Sequence, residues 1–170
     1  MTSRTPPGLS RLNQADAAAA AALLREVCAS AAWCAQVAAG RPYAHADELF
    51  AASDAAMSRL TAADLREAMA AHPPIGRPAP GDAASAREQS GVAAEERAEL
   101  LELGAAYRKA HGHVFLICAT GASGDRIRAA LRERTGNDEA TEREIVRTEL
   151  GKINRIRLGR LAAAPQEDAP

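Results

Sequence analysis

Alanine-rich stretches with helix signals at their ends restrict the fold of this sequence more than any other feature. Residues 17–22 are six consecutive alanines, and alanine supplies much of the 47% hydrophobic content. Alanine is the best helix former, whereas aromatic residues, which favour strands, make up only 3% of the chain. We therefore predict an all-α fold, a single-domain bundle of about 7–9 helices.

Capping and stop signals define the predicted helices. Thr61 and Asp64 form a capping-box pattern, and Asn137 is the predicted cap of the last helix, which also carries a Thr141–Glu144 capping-box pattern. The expected helices cover residues 14–28, 30–39, 46–59, 61–71, 92–111, 124–135 and 138–163.

Both ends of the chain lack hydrophobic periodicity. We predict a flexible leader over residues 1–11 and a flexible tail over 164–170, on either side of a helical domain spanning 12–163.

Charge and hydropathy argue against several functional classes. The 21 basic and 22 acidic residues give a formal net charge of −1, so we expect no nucleic-acid partner. No apolar stretch approaches the length of a transmembrane helix, and the N-terminal segment has no signal-peptide core.

The cysteines give no metal or redox motif, since Cys28, Cys34 and Cys118 form no C-x-x-C pair. This usage suits a reducing cytosol, and we expect a cytoplasmic protein with Cys28 and Cys34 in its core.

The segment HVFLICATG, residues 113–121, has a strand-like composition. A single strand without partners cannot satisfy its backbone groups. We interpret the segment as a buried extended turn or a short apolar helix.

Two polar residues stand at helix ends. His72 precedes two prolines in AHPPIG, and proline forces the residue before it out of a helix. The histidine is either a solvent-facing helix terminus or a side chain held at a fixed angle for a function. Ser85 and Glu88 match a capping box, so Glu88 is either a helix cap or a functional carboxylate.

The last helix carries an arginine on its apolar face. At 100° per residue, Arg157 falls in the stripe of Leu150, Ile153 and Leu161, whereas Arg155 points to the solvated side. A guanidinium on an apolar face must be paired, extend to solvent at the edge, or reach into a cavity.

Together, His72, Glu88 and Arg157 suggest a small-molecule site. His111 and His113 form an H-x-H pair, but two ligands do not make a metal site, and the sequence has no phosphate-binding loop. A histidine, a glutamate and an arginine together can bind a small anionic polar molecule and move protons.

Four sequence blocks resemble one enzyme family in order and spacing. They are AHPPIG, SAREQSGV, AYRKAHGHVFLICATGAS and RTGNDEATEREIVRTELGKINRIRLGRL. Over roughly residues 12–162 the chain resembles 2-oxo-4-hydroxy-4-carboxy-5-ureidoimidazoline (OHCU) decarboxylase, which completes the conversion of urate to S-allantoin.

The resemblance implies an all-helical decarboxylase that needs no cofactor and no metal, and that commonly forms a homodimer. It implies that His72, Glu88 and Arg157 are catalytic. The substrate-binding positions that it implies are Pro73, Ser85, Gln89 and the backbone of Phe115, Leu116, Ile117, Cys118 and Ala119.

The sequence departs from the family pattern at two places. His111-Gly112-His113 stands where the family often has aromatic residues around the glycine, and Pro74 stands where it often has a polar residue. Both changes affect the expected shape of the pocket.

Two alternative functions remain open. One is a non-catalytic helical interaction module, and the other is a decarboxylase of the same fold that acts on a related ureido or imidazoline acid.

Overall fold

The computed structural model describes residues 5–78 and 80–165 of the chain. These residues form nine α-helices and no strand, which confirms the predicted all-α class of about 7–9 helices. The helices are α1 (Pro7–Gln14), α2 (Ala17–Val27), α3 (Ala31–Ala39), α4 (Ala46–Arg59), α5 (Ala62–Ala70), α6 (Ala83–Glu88), α7 (Ala94–His111), α8 (Gly124–Arg134) and α9 (Glu139–Ala163). No described helix is both long and apolar enough to cross a membrane.

The chain divides into two compact units. The first comprises the chain up to Asp64 together with the segment from Gly151 onward, and the second comprises Leu65–Leu150. Helices α5 and α9 contribute residues to both units. We retain a single helical domain that ends at residue 163 as a proposal, with its start moved from residue 12 to the beginning of α1.

The first unit contains a helix that the sequence analysis missed. Residues 7–11, predicted to lie in the flexible leader, belong to α1. Proline is well suited to the first helical position, so Pro7 begins this helix rather than breaking one. Leu9 and Leu12 are fully buried on one face of α1, and this burial holds the helix in place. The rest of the predicted leader and tail lies partly outside the described residues.

Apolar packing of small helices forms the core of the first unit. Its fully buried side chains include Leu24 of α2, Trp33 of α3 and Leu49 of α4. Cys28 and Cys34 are buried, as predicted, and the Cys34 thiol donates to the Cys28 carbonyl at 3.2 Å. Side chains of Asp16 and Ser30 cap α2 and α3, so each short helix has local support at its start.

The second unit is built around α7 and α8. Its apolar cluster consists of Ile75, Val92, Leu100, Tyr107, Phe115, Ala119, Ala122, Ile127 and Leu131. The half-buried Arg128 pairs with Glu96 at 3.0 Å, and on the surface Arg132 pairs with Glu99 at 2.8 Å. These pairs link the two helices.

The predicted caps of α5 and α9 have different outcomes. The Thr61–Asp64 capping box is confirmed, because the Asp64 carboxylate accepts from the Thr61 amide at 2.8 Å and the Thr61 hydroxyl accepts from the Asp64 amide at 3.2 Å. The predicted Asn137 cap and the Thr141–Glu144 box are wrong. Asp138 caps α9 by accepting from the Thr141 amide at 2.9 Å, since a carboxylate directly before the first turn suits exposed amides.

Candidate functional site

Helix α5 ends just before His72, as the two prolines predict. Its last helical residue is Ala70, and the turn closes with a hydrogen bond from the His72 amide to the Met69 carbonyl at 3.0 Å. His72 and Pro73 are half-buried. The chain therefore leaves the helix at a fixed point and turns into the loop of residues 73–76.

A buried glutamine holds the end of this loop. Gly76 has a φ of 86°, a conformation that favours glycine, and its amide donates to the Gln89 Oε1 atom at 2.9 Å. Gln89 follows α6 directly and is buried. This bond ties the end of α6 to the loop that carries His72.

Helix α6 begins three residues earlier than the Ser85–Glu88 pattern suggested. Its cap is Asp82, whose carboxylate accepts from the Ser85 amide at 3.0 Å and from the Ser85 hydroxyl at 2.6 Å. Ser85 therefore lies inside the first turn, and Glu88 is the last residue of the helix. The capping-box interpretation of Glu88 is wrong. Glu88 is a buried carboxylate with 8% of its surface exposed.

The segment of residues 114–119 is neither helix nor strand. Phe115, Leu116 and Ala119 are buried, while Ile117 and Cys118 are half-buried. Side chains from distant helices satisfy part of its backbone. Arg134 Nη1 donates to the Leu116 carbonyl at 2.8 Å, and the Cys118 amide donates to Glu149 Oε2 at 2.7 Å. The backbone groups that lack a strand partner are bound by α8 and α9 instead.

A buried charge cluster lies behind this segment. Arg134 and Glu142 are 5% and 1% exposed, and the Arg134 Nε and Nη2 atoms donate to Glu142 Oε1 at 3.0 and 2.6 Å. The Tyr107 hydroxyl donates to the same carboxylate oxygen, and Asn137 donates to the other oxygen at 3.0 Å. The Arg134 guanidinium also lies over the Phe115 ring, 4.4 Å from its centre. Every oxygen of the Glu142 carboxylate thus has a donor, as a buried charge requires.

The cluster shifts two pKa values. Burial by itself would raise the pKa of Glu142, but hydrogen bonds from Arg134, Tyr107 and Asn137 outweigh burial and hold the pKa below its usual value. Burial, followed by the hydrogen bond to the Glu142 carboxylate, raises the pKa of Tyr107. At neutral pH the cluster therefore contains an ionised carboxylate and a protonated phenol.

This cluster was not predicted from the sequence, although a signal for it existed. Ile127, Leu131 and Arg134 are spaced at i, i+4 and i+7, which places the arginine on the buried face of α8. Glu142 is four residues before Val146 and eight before Leu150, so it lies on the buried face of α9. The same helical projection that selected Arg157 would have selected both.

The structure brings the His72 loop and the 114–119 segment together. Ile75 from the loop and Phe115 and Ala119 from the segment pack in one apolar cluster. Beside them is a pocket of about 160 Å³. Its lining residues are Pro74, Ile75, Leu101, Gly104, Ala105, Arg108, Val114 and Phe115. The predicted positions Pro73, Ser85, Glu88 and Gln89 belong to this same unit.

Arg157 lies in the first unit. Its side chain is half-buried, and Nη1 donates to the carbonyl of Val27, the last residue of α2, at 3.2 Å. Along this part of α9 the buried residues are Ile153, Asn154 and Leu158. Arg157 is at the edge of that stripe, and Arg155 is exposed, as predicted.

The two histidines of the H-x-H pair pack against the buried cluster. The His111 Nε2 atom lies 2.9 Å from the Arg134 carbonyl, and the His111 ring centre is 4.5 Å from that of Tyr107. His113 Nδ1 lies 3.0 Å from the Val114 carbonyl. Within residues 5–78 and 80–165, no group of three or more His, Cys, Asp or Glu side chains is arranged to hold a metal ion.

Comparison with known proteins identifies relatives of the whole helical region. The sequence matches the OHCU decarboxylase family over residues 13–159. It is 30% identical over 148 residues to 2-oxo-4-hydroxy-4-carboxy-5-ureidoimidazoline decarboxylase of Amia calva, covering 82% of each chain. It is 33% identical over 144 residues to the uric acid degradation bifunctional protein TTL of Arabidopsis thaliana. That match covers 79% of this chain but only 44% of the Arabidopsis protein.

Solved structures give the same relationship. A crystal structure of OHCU decarboxylase in the presence of (S)-allantoin superposes with a TM-score of 0.72 at 27% identity, covering 82% of this chain and 96% of the other. A crystal structure of (S)-allantoin synthase shares the fold, with a TM-score of 0.66 at 21% identity over 92% of this chain and 54% of the other. The chain belongs to the OHCU decarboxylase family.

Proposed function

We propose that this chain decarboxylates OHCU to S-allantoin in urate catabolism, as a cofactor-independent carbon–carbon lyase. The observation that carries the proposal is the family match over residues 13–159, which includes every proposed catalytic residue. The relative from Amia calva, whose name states this activity, aligns over most of both chains.

The proposed catalytic residues are His72, Glu88 and Arg157. The turn after α5 supports the role of His72, because the following prolines stiffen the backbone next to the histidine. Fixed placement of a reacting group lowers the activation barrier. The burial of Glu88 at the end of α6 supports its role, since a carboxylate there is not needed to start the helix. We assign Glu88 to orienting the imidazole and stabilising its charged form.

The proposed reaction uses the substrate as its own electron sink. The bond to the carboxylate breaks and CO2 leaves, and the electron pair moves toward the neighbouring ring carbon–nitrogen double bond, whose nitrogen takes up a proton. The hydroxyl proton then leaves as the enol-like intermediate becomes a carbonyl. A proton added to one face of the adjacent carbon gives a single enantiomer. His72 exchanges the hydroxyl proton in this scheme, and Arg157 holds a carboxylate or ureido oxygen by paired hydrogen bonds.

The remaining predicted positions form the proposed substrate wall. Pro73, Ser85 and Gln89 lie in or beside the His72 loop and α6, and the backbone of residues 115–119 supplies donors and acceptors. A ureidoimidazoline ring carries several amide-like groups, which such a backbone matches. The Gln89 side-chain oxygen already binds Gly76, so we assign Gln89 chiefly to holding the loop.

An assay of the purified chain tests the activity. OHCU is generated freshly from urate with the two upstream enzymes, and S-allantoin is followed by circular dichroism with and without EDTA. We expect turnover without added cofactor and no effect of EDTA. A failure to accelerate S-allantoin formation would reject the proposed activity. A loss of activity on metal removal that zinc or another metal restores would reject cofactor independence.

Substitutions test the three residues. His72→Gln should lower kcat by about 10²- to 10⁴-fold, the usual contribution of a general acid or base. Glu88→Gln should reduce kcat with a nearly unchanged melting temperature.

Arg157→Lys should raise KM far more than the matched control Arg155→Lys on the exposed face, because lysine lacks the two-pronged geometry. Wild-type kinetics in His72→Gln or Glu88→Gln would remove that residue from the catalytic set.

We also propose a cytoplasmic homodimer. The support for the compartment is that none of the three cysteines forms a disulfide. The support for the dimer is the family resemblance. Light scattering should give about twice the 17.8 kDa mass of one chain, and a mass near that of a single chain would contradict the dimer.

A further inference from the structure

We propose that Arg134, held by Glu142 and Tyr107, is a positioning residue that sets the backbone of residues 115–119 for substrate binding. The inference rests on the proposed function, in which this backbone forms one wall of the site. Arg134 itself need not touch the substrate. It acts through the Leu116 carbonyl, to which its Nη1 atom donates at 2.8 Å.

The bonds to the segment come from residues two positions apart. Arg134 binds the carbonyl of Leu116, and Glu149 binds the amide of Cys118. The residue between them, Ile117, makes no backbone hydrogen bond to another described residue. Fixing residues 116 and 118, its neighbours in the chain, therefore leaves one donor and one acceptor of Ile117 to pair with an amide-like group of the substrate.

The arginine is itself immobilised. Two of its nitrogen atoms bind Glu142 Oε1 at 3.0 and 2.6 Å, which leaves Nη1 for the Leu116 carbonyl. The Tyr107 hydroxyl binds the same Glu142 oxygen, and the Phe115 ring lies against the guanidinium. A lysine offers no planar fork, so it cannot bind the carboxylate and the carbonyl in this geometry.

Net stability does not by itself explain such a cluster. A buried ion pair often contributes no more than well-packed apolar residues of the same volume. What the pair does provide is a donor whose direction is fixed by several bonds. A fixed donor suits the placement of a backbone that must meet a ligand with little freedom, because misplacement by about 1 Å can cost about 10²-fold in rate.

The test compares Arg134→Lys with Arg132→Lys. Both are arginine-to-lysine changes in α8, but Arg132 is exposed and pairs with Glu99 on the surface. Kinetics with OHCU are measured well below the melting temperature of each variant, and the amide ¹⁵N and ¹H shifts of Ile117, whose peptide group includes the Leu116 carbonyl, are recorded by NMR. We expect Arg134→Lys to raise KM about 10- to 100-fold and to move the Ile117 resonance, with neither change in Arg132→Lys.

Separate measurement of KM and kcat distinguishes positioning from simple stability. A residue that only stabilises the fold lowers the amount of active protein, so apparent kcat falls while KM stays constant. Tyr107→Phe is the second variant, because it removes one bond to Glu142, keeps the ring and is milder than the arginine change. It should raise KM in the same direction by a smaller factor.

The outcomes are distinct from those for the proposed function. The inference alone is overturned if the wild type is active but folded Arg134→Lys shows an unchanged KM and an unmoved Ile117 resonance. If Arg134→Lys does not fold, the same result in Tyr107→Phe overturns it. A wild type that does not decarboxylate OHCU overturns the proposed function, and the inference with it.

Discussion

Two segments of the second unit meet at the apolar cluster, and they are held by opposite means. The loop of residues 73–76 is restrained by its own prolines and by two neutral bonds, from the Arg77 amide to the Pro74 carbonyl at 3.1 Å and from the Gly76 amide to Gln89. In the segment of residues 114–119, local bonds involve the carbonyls at its two ends, Val114 and Ala119. Its middle is held by Arg134 and Glu149, which belong to α8 and α9.

The difference shows how each segment obtains a defined backbone. Proline restricts φ before the chain folds, so the loop is partly ordered by its own sequence. The apolar segment resembles a strand and would be poorly defined alone, because its backbone donors and acceptors need partners. Its order depends on a buried ion pair that exists only after α8 and the start of α9 have packed. The first segment should therefore tolerate changes that the second does not.

The largest effect is expected from removing the buried arginine. Arg134→Met leaves Glu142 buried without its cation and should lower the free energy of unfolding by about 3–5 kcal/mol. Arg132→Met, at the exposed pair with Glu99, should cost no more than about 1 kcal/mol. Urea unfolding measures both. Equal losses in the two variants would contradict the contrast between the segments.

Acid should distinguish the two segments without any substitution. The lowered pKa of Glu142 contributes stability that is fully present above its ordinary value of 4.5 and is lost as the pH falls through the lower folded value. Gln89 does not titrate. Native-state hydrogen exchange, corrected for the intrinsic pH dependence, should therefore show the segment around Leu116 losing protection in acid before the Gly76 amide. Simultaneous loss at both places would contradict this prediction.

Removing the Gln89 side chain, which binds the Gly76 amide, should lower the stability of the protein moderately. Gln89→Ala leaves the buried Gly76 amide without its acceptor and should cost about 1–3 kcal/mol. Gln36→Ala is the control, because Gln36 makes only a long surface contact with Arg59 at 3.5 Å. Thermal unfolding of both variants is the measurement. A Gln89→Ala variant as stable as its control would show that the loop does not depend on this bond.

The smallest effect is expected from a methyl group at the end of the loop. Gly76 and Gly81 have φ angles of 86° and 80°, so alanine at either position should cost about 1–2 kcal/mol. At Gly76 the new Cβ would also lie 3.1 Å from the Arg97 carbonyl, whereas nothing lies within 4 Å at Gly81. Gly76→Ala should therefore be the more destabilising of the two in urea unfolding. Equal costs would mean that the loop gives way without strain.

The sequence predicted the helical class and the loop at His72 correctly, because those features have local causes. Alanine content, the Thr61–Asp64 box and the prolines act on their own neighbours in the chain. It did not predict α6 as a separate helix and matched a cap at Ser85 where Asp82 is the cap, because both residues are good caps and the pattern alone does not choose between them. It also missed α1, whose stability comes from the burial of Leu9 and Leu12.

The sequence by itself determined that this chain is helical, where most of its helices end, and which family it resembles. Those outcomes depend on backbone propensity and on residues close together in the chain. Only the tertiary structure decided that Arg134 and Glu142 form a buried pair and that Leu116 is its target. These residues are 8 to 26 positions apart, and the free energy of a buried charge depends on which groups surround it after packing. A helical projection indicates that each of the two charged residues lies on a buried face, but not which partner it meets.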